Sequence, residues 1–157
     1  MPQYIANVQA TSNTSANTLD TFIEITAPSG VQFKVKRFRV AFGDGTQTAG
    51  VDNHFAFRTV RKSVAGATGS TFTAIKKNAN VGASGCTVKV KNGTTAFSVG
   101  TVTDTIDIVA INGRMVYEWI ARDDDDMIVV AAAGIFGIHL QSAVASQLFT
   151  VSCEWME

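Results

Sequence analysis

The sequence predicts an all-β fold: a jelly-roll-like antiparallel β-sandwich over residues 19–157, preceded by a short N-terminal arm over residues 1–18. Three observations predict it. Period-2 alternation recurs along the chain, while helical periodicity is nearly absent. Turn signals separate short strand-like runs about every 8–12 residues, the rhythm of a sandwich or barrel. The third is bulk: 157 residues, 46% hydrophobic and 17% charged, suffice for one core and exclude a disordered or acidic solvating segment.

The elements follow in order. Met1-Pro2-Gln3-Tyr4 has no basic stretch and no apolar run, so no signal peptide is expected. Residues 9–18 (QATSNTSANT) are polar and read as an extended arm or loop. Residues 21–27 (TFIEITA) form a strand that ends at the turn signal Pro28-Ser29-Gly30. Over 31–42 the apolar phase is odd at Val31, Phe33 and Val35, then even at Phe38, Val40 and Phe42. A slip of one residue at Lys36-Arg37 predicts a β-bulge, because otherwise half of the strand would turn its apolar side chains outward. The Gly-rich stretch 43–51 is a loop, and 54–61 (HFAFRTVR) a strand.

Strands are expected next at 72–76, 86–91 and 95–99, the last two flanking a hairpin at Asn92-Gly93. Residues 102–111 and 115–121 follow, with a second hairpin at Asn112-Gly113, and then 127–132 and 135–140. The run Met127 to Ala133 (MIVVAAA) lacks alternation, which predicts cover on both faces, one of them supplied by another subunit. Phe149, Val151, Cys153 and Trp155 alternate with polar residues in a final half-buried strand.

The formal charge is zero, yet it is unevenly distributed. Between Lys34 and Lys91 lie eleven basic and two acidic residues (Asp44, Asp52); the rest of the chain holds two basic residues (Arg114, Arg122) and eleven acidic ones. Either basic strands lie beside acidic ones, or the molecule docks and assembles by charge complementarity. On the second reading the contacts are Lys34, Lys36, Arg37, Arg39, Arg58, Arg61 and Lys62, with Asp123, Asp124, Asp125 and Asp126 as the acidic counterpart.

Motifs for chemistry are missing. His54 and His139 stand in no metal spacing, and His139 reads as a surface or edge residue. No nucleophile elbow or phosphate loop is present. Cys86 and Cys153, 67 positions apart, fit neither a redox pair nor a zinc motif and read as reduced structural thiols. The four adjacent aspartates read as a solvated turn, with a hard cation or a docking partner as the alternatives. Residues 1–33 carry no Lys or Arg, which argues against genome binding through an arm, and no membrane span is expected. No enzyme activity, cofactor or metal is expected.

One resemblance covers most of residues 19–157. Thr21-Phe22-Ile23-Glu24-Ile25-Thr26-Ala27-Pro28 followed by Phe33-Lys34-Val35 is similar to the opening of small tailed-phage virion proteins. Phe57-Arg58-Thr59 before the small-residue insertion 64–70, and the closing Trp155-Met156-Glu157, are similar to theirs too. The chain thus resembles capsid decoration, or cement, proteins. The resemblance implies a jelly-roll subunit, commonly a trimer, that binds the major capsid protein on the capsid exterior after assembly in the host cytoplasm. The Pro-Gly turn common before the penultimate strand is replaced here by the four aspartates, so contacts of that turn do not carry over. The competing reading is a receptor- or carbohydrate-binding β-sandwich of a virion fibre or a secreted protein.

Overall fold

A computed structural model of the chain describes residues 1–12, 15, 17–43, 54–113, 115–142 and 146–157. Most of the Gly-rich stretch, together with Asp44, Asp52 and Arg114, lies outside them. In chain order the strands are β1 (Gln3–Thr11), β2 (Leu19–Thr26), β3 (Phe33–Phe42), β4 (His54–Val64), β5 (Ser70–Phe72), β6 (Ile75–Lys76), β7 (Thr87–Val90), β8 (Thr101–Asn112), β9 (Val116–Ile120), β10 (Ile128–Val130), β11 (Ile135–Ser142) and β12 (Leu148–Met156). They form two antiparallel sheets packed face to face. The first runs β10-β3-β12-β1-β6, with β9 also on β3; the second runs β5-β7-β2-β11-β4-β8.

The alternation that predicted the strands also builds the core. Phe33, Val35, Phe38, Val40, Phe149, Val151 and Trp155 are all buried on the inner face of the first sheet. Opposite them lie Ile23, Ile25, Phe55, Phe57, Phe136, Ile138 and Leu140. Phe149 packs edge-on against Phe22, Phe42 and Phe55, while Phe38 stacks on Trp119 at 5.2 Å between ring centres. Burying a large apolar side chain of this kind contributes about 1.5–3 kcal/mol, which is why the inward residues dominate the fold's stability.

The predicted bulge is present. Trp155 pairs with Val35 and Glu154 with Arg37, leaving Lys36 as the extra residue. On the other side of β3, Ile120 of β9 pairs with Arg37 and Ile128 of β10 with Val35. The Ala121 N–H donates to the Lys36 carbonyl at 2.9 Å. The bulge therefore separates β9 from β10, and the segment carrying the aspartates loops out at that point.

Several expectations are corrected. Residues 3–11, assigned to an arm, are β1, which lies between β12 and β6 within the first sheet. Residues 95–99 form no strand; Asn92-Gly93 is a turn closed by Thr95 N–H to the Asn92 carbonyl, and the chain continues irregularly. Asn112-Gly113 does not make a hairpin, because β8 and β9 belong to different sheets and the turn carries the chain from one to the other. Residues 72–76 divide between β5 and β6, again in different sheets. Of the strand expected over 127–132 only Ile128–Val130 is one, and Ala131 to Ala133 lie in the turn that follows it.

The central part of the second sheet's outer face is covered by loops, while the β8 side stays open. The Phe97 ring presses so closely on Gly66 and Gly69 that a Cβ at either would collide with it. Two bonds hold this cover: Thr21 N–H to the Phe97 carbonyl, and Phe97 N–H to the Asp20 side-chain Oδ1, both 2.9 Å.

Candidate functional site

Beneath this cover lies a polar layer that the strand pattern does not announce. Lys62 on β4 donates to Glu24 Oε2 on β2 at 2.7 Å, and Lys91 donates to Asp20 Oδ2 at 2.8 Å; all four side chains are buried. Gly66 N–H adds a second bond to Glu24 Oε2 at 2.8 Å. Burial pushes the Lys62 ammonium down from its ordinary range, against the opposing pull of Glu24. Lys62 therefore cannot serve as a surface contact: it points to the sheet, over Gly137, and not to solvent.

His139 is corrected as well. It is fully buried on the central strand β11, and neither ring nitrogen finds a partner among the described residues. Burial first, then Lys62 and Arg58, hold its pKa down to about 3, so it is neutral at physiological pH. Cys86 and Cys153 are free, buried thiols whose pKa values burial pushes well above the usual thiol range, which makes them poor nucleophiles.

The remaining predicted contacts do not form one patch. Lys34, Lys36, Arg37 and Arg39 lie on β3 in the first sheet, whereas Arg58 and Arg61 lie on β4 in the second. Arg37 pairs with Glu118 of β9. Arg61 reaches from β4 to the carbonyl of Val129, donating from Nε at 3.3 Å and Nη2 at 3.1 Å. Lys34, Lys36 and Arg39 make no ion pair among the described residues. Beside them on the same outward face stand Val116, Ile120 and Val129, exposed at 52%, 51% and 40%.

Asp123, Asp124, Asp125 and Asp126 are exposed in the loop between β9 and β10. Asp123 Oδ1 accepts from the N–H groups of Asp125 and Asp126 at 3.0 and 3.1 Å, so the run is a solvated turn held by its own first residue. No group of three His, Cys, Asp or Glu side chains able to hold a metal occurs among the described residues.

The feature that sequence reasoning missed is the seam where β8 of one sheet faces β9 and β10 of the other. A cavity of about 270 Å³ opens there, walled by Phe38, Trp119, Ile106 and Ile128. Its polar lining is Thr59, Asp107 and Asp126. Thr59 and Asp107 are directly paired across β4 and β8, so both side chains face the cavity. Thr59 is fully buried, and its Oγ1 has no hydrogen-bond partner among the described residues. The Tyr117 hydroxyl donates to Asp107 Oδ2 at 3.3 Å, and burial, then Asp107, raise its pKa. These residues are scattered from position 38 to 128 and meet only through pairing between distant strands, so no sequence spacing signals them. A larger hollow of about 530 Å³ near the N-terminus is lined by one charged residue, Lys77, whose Nζ is already engaged by Glu154.

No family model, curated protein or solved structure matches this chain.

Proposed function

We propose that this protein is a non-enzymatic structural component of a virion, one that decorates and stabilises a tailed-phage capsid by bridging neighbouring major capsid subunits. The observation that carries this reading is the outward face of β3, β9 and β10. There Val116, Ile120 and Val129 stand exposed among Lys34, Lys36 and Arg39, a mixed apolar and basic surface of the kind that marks an interaction site. The long edge strand β8 supplies a second uncovered surface.

A jelly roll is the form we assign to the sandwich. Its support is the strand order: β1-β12-β3-β9 in one sheet opposite β2-β11-β4-β8 in the other is the order that two interleaved Greek keys produce, a fold used by capsid proteins and by lectins alike. Residues 65–100 then form an insertion whose strands extend both sheets at their far edges. A trimer on the capsid exterior is the assembly we expect, with no nucleic acid and no membrane involved.

The test is cosedimentation of the purified chain with capsids assembled from the coat protein of the source particle. Exposed charges are screened beyond about 8 Å at physiological salt, so added salt should release the protein before it unfolds. Replacing Lys34, Lys36 and Arg39 together with Ser should mimic high salt, since each exposed pair contributes only about 0.2–1 kcal/mol and the effect accumulates over many copies. Failure to cosediment, together with selective binding on a glycan array, would overturn this reading in favour of a carbohydrate-binding module.

A further inference from the structure

We propose that the seam cavity is a socket for one basic side chain, lysine or arginine, presented by a neighbouring protein chain. The inference rests on the bridging function and names the chemistry of one of its contacts. The lining carries two carboxylates, Asp107 and Asp126, and no basic residue. Neither carboxylate makes an ion pair within the described chain, and Arg61, the next inward residue along β4, is committed to the Val129 carbonyl. An electronegative hollow of this kind is matched by a cation.

The walls narrow the choice further. Trp119 is held nearly parallel to Phe38 and both rings line the cavity, so an aromatic wall is fixed there, and aromatic rings favour cations and the methylene stems that carry them. Thr59 adds a buried hydroxyl without a partner among the described residues, which in a filled socket accepts from an ammonium or guanidinium N–H. The volume also limits the guest. At about 270 Å³ the cavity falls below the ~300–1,000 Å³ usual for a drug-sized ligand, which suits a single side chain better than an oligosaccharide.

The chain contains its own reporter and its own control. Trp119 lines the cavity, while Trp155 is buried in the core with its indole N–H donating to Glu157. In a ¹H–¹⁵N spectrum, N-acetyl-arginine amide and N-acetyl-lysine amide should shift the Trp119 indole peak saturably at millimolar concentration and leave that of Trp155 in place. N-acetyl-norleucine amide, the uncharged counterpart of lysine, should do neither. The double variant Asp107→Asn/Asp126→Asn keeps an acceptor for Tyr117, and thermal melting will show that it folds. It should weaken the response about tenfold, as expected for losing charge-assisted bonds. Thr59→Val should weaken it to a smaller degree.

A Trp119 peak that ignores both cations overturns the socket, as does one that answers norleucine or neutral monosaccharides equally well. The capsid assay separates this result from the bridging reading. Cosedimentation that the double variant retains in full overturns the socket and leaves bridging to other surfaces. Cosedimentation weakened in the double variant and in the wild-type chain competed with N-acetyl-arginine amide supports it.

Discussion

Removing one partner of the buried Lys62–Glu24 pair should destabilise the fold far more than removing both. The Nζ–Oε2 distance is 2.7 Å with both side chains excluded from solvent. At an effective dielectric of about 20, the attraction is on the order of 6 kcal/mol. Desolvating each ion costs several kcal/mol, so the pair as a whole contributes little net stability. Truncating one member is different, because the other stays buried beneath the Phe97 loop without its counter-charge. Lys62→Met and Glu24→Gln should each therefore cost about 3–5 kcal/mol.

The double variant should recover to within about 1–2 kcal/mol of wild type, since Gln can still accept from Gly66 N–H and Met fills the volume of the lysine stem. Urea denaturation at pH 7, followed by tryptophan fluorescence, reads all four corners of the cycle. The reasoning is refuted if each single change costs under about 1 kcal/mol, or if the double change costs the sum of the two.

Two further outcomes are expected. Trp155→Ala should cost about 3–5 kcal/mol in the same assay, because it removes a fully buried ring that stacks on Tyr4; a loss under 1 kcal/mol would contradict the core described here. For His139, the folded pKa is about 3 against 6.5 when unfolded, so the unfolded chain binds more protons between those values. Stability is thus full above pH 6.5 and falls as the pH drops toward 3. Between pH 6 and 4 the decline should be steeper than in His139→Gln by about 1.4 kcal/mol per pH unit. Identical slopes would mean that His139 is protonated in the fold.

Where large side chains alternate, the fold was legible. The phase slip at Lys36 gave the bulge, and Phe149 to Trp155 gave the final strand, because in both the inward positions are bulky and the outward ones polar. In β1 the same alternation exists as Tyr4, Ala6, Val8 and Ala10, all buried, but two alanines carry little hydrophobic signal. The bulk there comes from β12: Tyr4 stacks on Trp155 at 5.9 Å between ring centres. Residues 95–99 misled for the opposite reason. Phe97 looks like a strand residue but is the plug of a loop, and its partners Gly66 and Gly69 signal only by lacking side chains. Lys62 and Glu24 occupy ordinary outward positions of their strands, and nothing local says that another segment will fold over them. The seam cavity was illegible because its carboxylates and its hydroxyl come from three separate segments.

The division of charge along the chain is resolved by the same distant pairing. All four ion pairs among the described residues, Arg37–Glu118, Lys62–Glu24, Lys77–Glu154 and Lys91–Asp20, join a basic residue between 34 and 91 to an acidic one outside that interval. Basic β3 lies between β12 and β9, and basic β4 lies beside β8 with its Asp104 and Asp107. The chain is therefore not a molecule with one positive and one negative end; sequence segregation becomes spatial interleaving, as cross-strand pairing requires. Among the charges that this pairing leaves over, Lys34, Lys36 and Arg39 share the outward face of β3, while Asp107 and Asp126 meet at the seam cavity. These two groups are opposite in sign and lie on different surfaces, so on the proposed function a basic neighbour would fill the seam while an acidic one would meet β3. If the proposed function holds, the two contacts should be separable: the β3 triple substitution and the Asp107→Asn/Asp126→Asn variant should each weaken attachment while leaving the thermal melt of the core in place.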